Sequence, residues 1–324
     1  MPTVAHPPTH EHSPIHKPLN RWYAVHARDL PWRQPGTTPW AILLSEVMSQ
    51  QTPVARVIPL WRAWLERWPD MRELAEAPTA DVLRAWDNLG YPRRALRLKE
   101  CAQVGVHKYG GELPSTVGEL ESLPGIGNYT ARAVASFAFG QAVPVVDTNV
   151  RRVQTRLVRG EFLQSPARAS DLAAVADLMP WVDEDPALMK RGYRNPTQDP
   201  TLRDDAQLMT QALMELGALV CTARKPRCEE CPLTAHCRWF AEGKPMPSEK
   251  DRQAAARKVQ KFEGTDRQVR GKVMALLRAS ERAVVTPGEV DAVWPDKVQL
   301  KRVIESLLAD GLMRQTEGGY QFPR

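Results

Sequence analysis

Four of the chain's five cysteines fall within CTARKPRCEECPLTAHC, at residues 221, 228, 231 and 237, and no other feature constrains the fold as tightly. Soft thiolate ligands at intervals of six, two and five residues draw this stretch into short loops around one centre. Cys221, Cys228, Cys231 and Cys237 satisfy either a tetrahedral zinc or a cubane iron-sulfur cluster. Zinc ribbons present two similar short knuckles, so the unequal intervals favour [4Fe–4S]. No secretory leader precedes them, which disfavours a disulfide pair. Cys101 stands alone in a helical pattern and is expected to be a buried packing residue. Arg224, Lys225 and Arg227, in the longest of the three loops, are placed to contact phosphates or to offset the charge of a thiolate cluster.

From Trp22 to Phe240 the chain reads as successive short helices punctuated by Pro and Gly, among them PLWRAWLERW, TADVLRAWDNLG and RRALRLKECAQVGVHKYGG. Alternating strand-type runs are few, so the fold is expected to be all-α. The polar, Pro-rich stretch 182–205 reads as a surface insertion, and 241–265 as a basic linker. Beyond it, three helical stretches and LMRQTEGGYQFP, a hairpin turning at Glu317-Gly318-Gly319, follow the order of a winged helix. Residues 1–19 read as a disordered tail whose histidines, His6, His10, His12 and His16, have no fixed geometry for a metal. No stretch is apolar for the roughly 20 residues that cross a bilayer, and a cytoplasmic location is expected. The net charge of +6 leaves a polyanionic partner open without requiring one.

The stretch LPGIGNYTARAV presents Gly125 and Gly127 just before a helix. Glycines at such a turn expose backbone amides and a positive helix end, a cradle for phosphate. Asp147 follows in VPVVDTNVRRV, flanked by Val145, Val146 and Val150 with Arg151 and Arg152 beyond. This is an expected place for carboxylate chemistry beside a nucleic-acid backbone, and equally for a helix N-cap.

A second carboxylate lies upstream in PWAILLSEVMSQQTPVARVIPLW. A helix through this segment puts Ile42, Glu46 and Gln50 on one face with Leu43 and Val47 beside them. Burying Glu46 in that stripe would raise its pKa and keep a proton ready near neutral pH, as a general acid for glycosidic cleavage requires; the other reading is a solvated Glu on a helix edge.

SEVMSQQTPVARVIP closely resembles the MutY adenine glycosylases. So do LPWR at 30–33, LGY at 89–91, the LPGIG hairpin with Asp147, QALMELGALVCT and the cysteine spacing. The resemblance covers roughly residues 20–240. It implies a helix-hairpin-helix glycosylase fold of the endonuclease III superfamily, with a cluster domain from 20–30 and 141–240 and a six-helix barrel over 31–140. The remaining segment, 266–324, is the winged-helix-like domain.

Carried onto this chain, the resemblance makes Glu46 the acid that protonates adenine N7. Asp147 stabilises the sugar cation at C1′, and Asn149 positions it. Gln51 and Tyr91 wedge into the base stack beside Gln50, Arg33 lies near the adenine pocket, and Gly125 and Gly127 hold a phosphate. The implied partner is duplex DNA carrying adenine opposite 8-oxoguanine or guanine, bound by a monomer at the nucleoid. Tyr129 stands where endonuclease III enzymes carry a nucleophilic lysine. A phenol forms no imine, so base removal without efficient β-elimination is expected.

Two positions and one segment depart from the pattern. Thr148 replaces a glycine between Asp147 and Asn149, and Pro92 replaces a tyrosine beside the wedge. The 266–324 segment is too short and too helical for the Nudix-like domain with which MutY proteins often recognise 8-oxoguanine. Two other readings remain: a thymine or uracil mismatch glycosylase, and a non-enzymatic iron-sulfur protein that binds DNA or senses redox state.

Overall fold

The structure is a computed structural model that describes residues 15–190, 192–193, 199–255, 262–280 and 284–324. Along the chain come α1 (His16–His26), a 3-10 turn at Pro31–Arg33, α2 (Pro39–Ser49), α3 (Val54–Arg67), α4 (Met71–Glu76), α5 (Thr79–Ala85) and α6 (Arg93–Tyr109). Next are α7 (Val117–Glu121), α8 (Asn128–Phe139) and α9 (Thr148–Gln154), which runs into one π turn at Thr155–Arg159. They are followed by α10 (Asp171–Ala176), α11 (Pro186–Met189), α12 (Arg203–Leu219), α13 (Arg238–Ala241) and α14 (Glu249–Ala255). Last are α15 (Asp266–Ala279), α16 (Pro287–Asp291), α17 (Lys297–Ala309) and the hairpin β1 (Arg314–Thr316) and β2 (Gly319–Gln321).

Local chemistry sets several of these boundaries. Thr38 caps α2 by accepting from the Ala41 amide, with Pro39 at the first helical position. Thr286 and Glu289 form a capping box on α16, and Asp296 caps α17. Helix α2 stops at Ser49, one residue short of the expected face, so Gln50 is its C-cap and Gln51 takes a left-handed φ of 55°.

The chain divides into two units, one of residues up to 34 with 115–120 and 127–257, the other of 35–114, 121–126 and 258–324. In the first, α12 packs against α1 and α9. Its core is built from Leu19, Trp22, Val150, Val153, Leu213, Leu216 and Val220, with Cys221, Cys231 and Cys237 packed against it. Each fully buried aliphatic side chain contributes about 1.5–3 kcal/mol. In the second unit, Trp64 meets Trp68 and Trp86 edge-on, with centroids 4.8 and 5.5 Å apart. The indole N–H groups of Trp64 and Trp86 are satisfied: Trp64 donates to Ala85 O and Trp86 to Gly90 O. Cys101 is fully buried, and burial pushes its thiol up to about 12.

The grouping differs from the expected domains in three ways. Helix α8 goes with the cluster segment, because Arg132 on it pairs with Asp185 at 2.8 Å and Gln207 on α12 donates to Ser136 O. Residues 258–324 go with 35–114, to which they are tied by ion pairs. The expected tail ends earlier, since Ile15, His16 and Leu19 are buried as α1 begins; His6, His10 and His12 lie outside the described residues. The 182–205 stretch is more than a surface insertion. Asp185 and Leu188 are fully buried, and Asp183 binds Arg203 at 2.6 Å and accepts from the Ala142 amide at 2.9 Å. Within the expected linker, 249–255 is helical.

The C-terminal segment follows the expected order of three helices and a hairpin. Val285 adds an antiparallel bridge to Tyr320, a strand contact between α15 and α16 that periodicity did not signal.

Candidate functional site

Asp147 takes the capping position that the sequence allowed. It is the N-cap of α9, where one carboxylate oxygen accepts from the Val150 amide at 2.7 Å and the other from Asn149 Nδ2 at 2.7 Å. Burial raises its pKa, opposed by the hydrogen bonds from Val150 and Asn149 and by the nearby Arg152 cation. Asn149 is held in turn, because its Oδ1 accepts from Arg152 Nη2 at 2.7 Å.

Arg151 and Arg152 face inward. Arg152 is buried and donates to Gly217 O and Cys221 O at 2.6 and 2.7 Å, while Arg151 lies 3.8 Å from Asp171. Gly217 makes this closeness possible: a Cβ there would lie 2.7 Å from Asn149 Cβ and 2.8 Å from its carbonyl oxygen. The line Asp147–Asn149–Arg152–Cys221 therefore joins the carboxylate to the first cysteine by direct hydrogen bonds.

The four cysteines line one cavity together with Arg156, Val220, Pro226, Arg227, Thr234, Trp239 and Phe240. None is in a disulfide. Burial, with mutual repulsion among the thiols, raises Cys231 to about 11, so loading the site must displace protons. Arg156, on the π turn, is fully buried and donates to Cys221 Sγ at 3.3 Å and to Thr222 O at 2.8 Å. Its guanidinium also stacks over Phe162 and Trp239, at 4.4 and 5.4 Å from their ring centroids. Arg156 thus puts a buried cation against a cysteine sulfur, and Arg227, which lines the same cavity, pairs with Glu230 at 3.1 Å. Four free thiols around a cavity, with a buried cation against the sulfur, fit a thiolate-ligated cluster.

Glu215 was missed in the sequence, being one acid in a helical stretch. It is fully buried and accepts from Arg28 Nε at 2.7 Å and Arg33 Nη2 at 2.9 Å. Despite burial, these two arginines hold its carboxyl at about 2. Arg33 is thus fixed by an acid and lies over the Tyr23 ring at 5.6 Å.

In the other unit Glu46 is half-buried on α2 between Ser45 and Val47, with Ile42 and Leu43 buried on the preceding turn. Two loops of that unit are tied by Arg94. Its Nη1 donates to Val47 O and Gln50 O at 2.7 and 2.8 Å, and its Nη2 to Leu89 O and Gly90 O at 3.0 and 3.1 Å. Burial lowers its pKa to about 10, still charged at neutral pH. The two loops present Gln51, exposed with φ 55°, and Tyr91, 46% exposed with φ 46°.

The hairpin glycines differ from each other. Gly125 has φ 77°, and a Cβ there would meet Arg97 Cβ at 2.7 Å, so only glycine fits. Gly127 is extended, with φ −93°, and open space where a Cβ would go; it caps α8 without a side chain. Tyr129, the second residue of α8, is half-buried.

Residues 44–172 match the HhH-GPD superfamily base excision DNA repair protein family, and residues 221–237 match the iron-sulfur binding domain of endonuclease III. The adenine DNA glycosylase of Mycolicibacterium smegmatis is 51% identical over 302 residues, 93% of each chain. That of Mycobacterium tuberculosis is 48% identical, covering 93% of this chain and 90% of its own. The human adenine DNA glycosylase is 39% identical over 68% of this chain and 38% of the human one. Among solved structures, a thermostable thymine-DNA glycosylase superposes with a TM-score of 0.56 at 24% identity, covering 70% of this chain and 95% of that one. Endonuclease III trapped covalently on DNA gives 0.54 at 23% identity, over 71% and 96% of the two chains. The fold is the helix-hairpin-helix glycosylase fold, and the 221–237 loop carries a [4Fe–4S] cluster as its cofactor. The chain belongs to the adenine DNA glycosylase family of the HhH-GPD superfamily.

Proposed function

We propose that this adenine DNA glycosylase excises adenine mispaired with 8-oxoguanine or guanine, acting as a monomer at the nucleoid and leaving an abasic site. Glu46 donates a proton to N7, the C1′–N9 bond breaks with its electron pair passing to the purine, and the sugar becomes an oxocarbenium ion. Asp147 stabilises that cation, Asn149 fixes the carboxylate, and a water adds at C1′ with its proton restoring Glu46. Adenine leaves the stack for this chemistry while Gln51 and Tyr91 fill the gap. Arg33 borders the base pocket, Gln50 lines the wedge, and Gly125 and Gly127 offer amides to a phosphate. Bound at its four thiolates, the cluster cross-links the 221–237 loop. Tyr129 excludes the imine route.

The observation that carries this reading is Asp147 itself. Its carboxylate is held from both sides at 2.7 Å at the start of α9, in a chain 51% identical to an adenine DNA glycosylase.

The test is a mismatch panel with cluster-loaded protein. Duplex with a central A opposite 8-oxoguanine should yield an alkali-labile site on the A strand, and Glu46→Gln should bind that duplex without releasing adenine. Cleavage confined to T:G or U:G duplexes would sink the reading. So would a borohydride-trapped adduct as abundant as lysine enzymes give.

A further inference from the structure

The segment that presents Tyr91 is an awkward piece of backbone. Asp87, Gly90 and Tyr91 all have positive φ, at 44°, 78° and 46°, and two of the three are not glycine. Such a turn persists only when its surroundings over-determine it. From inside the fold it is held by Arg94 on Leu89 O and Gly90 O, and by Trp86 Nε1 on Gly90 O at 2.9 Å.

The other side of the turn is held by the 266–324 segment. Arg267, on the first turn of α15, donates to the Tyr91 hydroxyl at 3.2 Å. Arg278, near the end of α15, lies 3.7 Å from the Asp87 carboxylate. Asp310, the C-cap residue of α17, takes Arg93 on one oxygen at 3.3 Å and Arg270 of α15 on the other at 2.6 Å. The Arg84 guanidinium stands over the Phe322 ring at 5.5 Å. Four contacts therefore reach positions 84, 87, 91 and 93, on both sides of the wedge tyrosine and on its hydroxyl.

The gripping segment is well built for this. Val269, Val273, Leu277, Leu300, Val303 and Leu307 form its buried interior, and the Asp310–Arg270 pair locks the end of α17 to α15. On its exposed face Arg302, on α17, pairs with Asp266 at 2.7 Å.

We propose that the winged-helix-like segment 266–324 serves as a brace for the wedge loop, with Arg267 and Asp310 as positioning residues that act through Tyr91. This rests on the reading of Tyr91 as the residue that enters the stack. It assigns the segment a task in the reaction without requiring it to read DNA.

A double-mutant cycle tests the brace under single-turnover conditions on A opposite 8-oxoguanine, with the full-length, cluster-loaded chain. Arg267→Ala should slow base release about three- to tenfold, and Arg267→Lys should recover most of the loss. In a Tyr91→Ala background Arg267→Ala should have no further effect. Fluorescence of 2-aminopurine beside the target adenine should show extrusion slowed to the same degree in the single variants. Asp310→Asn provides a second entry into the same cycle.

Full additivity of Arg267→Ala and Tyr91→Ala, or wild-type extrusion rates in both Arg267→Ala and Asp310→Asn, would overturn the brace while leaving the wedge intact. A wild-type rate for Tyr91→Ala alone, with Glu46→Gln inactive, would overturn the wedge and the brace with it.

Discussion

At the scale of single residues, the acids differ in how they are held, and the difference is measurable. Glu215 is depressed to about 2 by two arginines. Its contribution to stability is complete above the unfolded value of roughly 4.3 and is lost as pH falls toward about 2. Urea melts of the wild type and Glu215→Gln should differ by on the order of 3 kcal/mol at pH 7 and converge over that acid window. Asp147 is shifted the other way, raised by burial against the hydrogen bond from Asn149. Asn149→Ala removes a bond that favours the carboxylate, so the acid limb of the kcat/KM profile should move to higher pH. An unmoved limb would mean that Asn149 does not set the protonation of Asp147. Tyr129→Lys should gain some strand cleavage, read as a borohydride-trapped adduct. The acid and the tyrosine were legible because each sits inside a short motif. Glu215, Arg94, Arg152 and Arg156 were not, since their partners are backbone carbonyls and side chains distant in sequence, and no local period announces them.

At the scale of elements, the approach of α12 to α9 sets the geometry. Because Gly217 touches Asn149, Gly217→Ala must push the helices apart or displace the asparagine. Overpacking of this kind costs about 1–3 kcal/mol, and base release should fall by more than the stability loss explains. Urea unfolding alongside single-turnover rates separates the two. Helix existence was largely readable from the 3.6-residue apolar period and the Thr and Asp caps. What periodicity missed was tertiary: α2 ends at Ser49 because the next residues turn to meet Arg94, and Asp183 and Asp185 are held inward by the Ala142 amide and Arg132, despite the polar composition around them.

At the scale of the whole molecule, the cluster loop and the loops that present Gln51 and Tyr91 belong to different units, and removal of iron should affect them unequally. Chelation of iron should open 221–237, where Arg224, Lys225 and Arg227 are exposed, to early tryptic cleavage. The helices of 35–114 should survive, as judged by mass mapping of the resistant fragments. Equal protection of the cluster loop with and without iron would overturn this. The fold class was legible from motif and spacing together. The alliance of 266–324 with the barrel segment was not, because it is made by single charged contacts on exposed-looking residues.

The chain passes between the two units four times, near residues 35, 115, 121 and 127, before it crosses once more at 258. Inheritance acts on continuous stretches of gene. The first part, threaded back and forth, must be passed on whole, whereas the last stretch is a single uninterrupted piece. A lineage can therefore exchange this piece in one recombination event while the residues proposed for catalysis remain where they were.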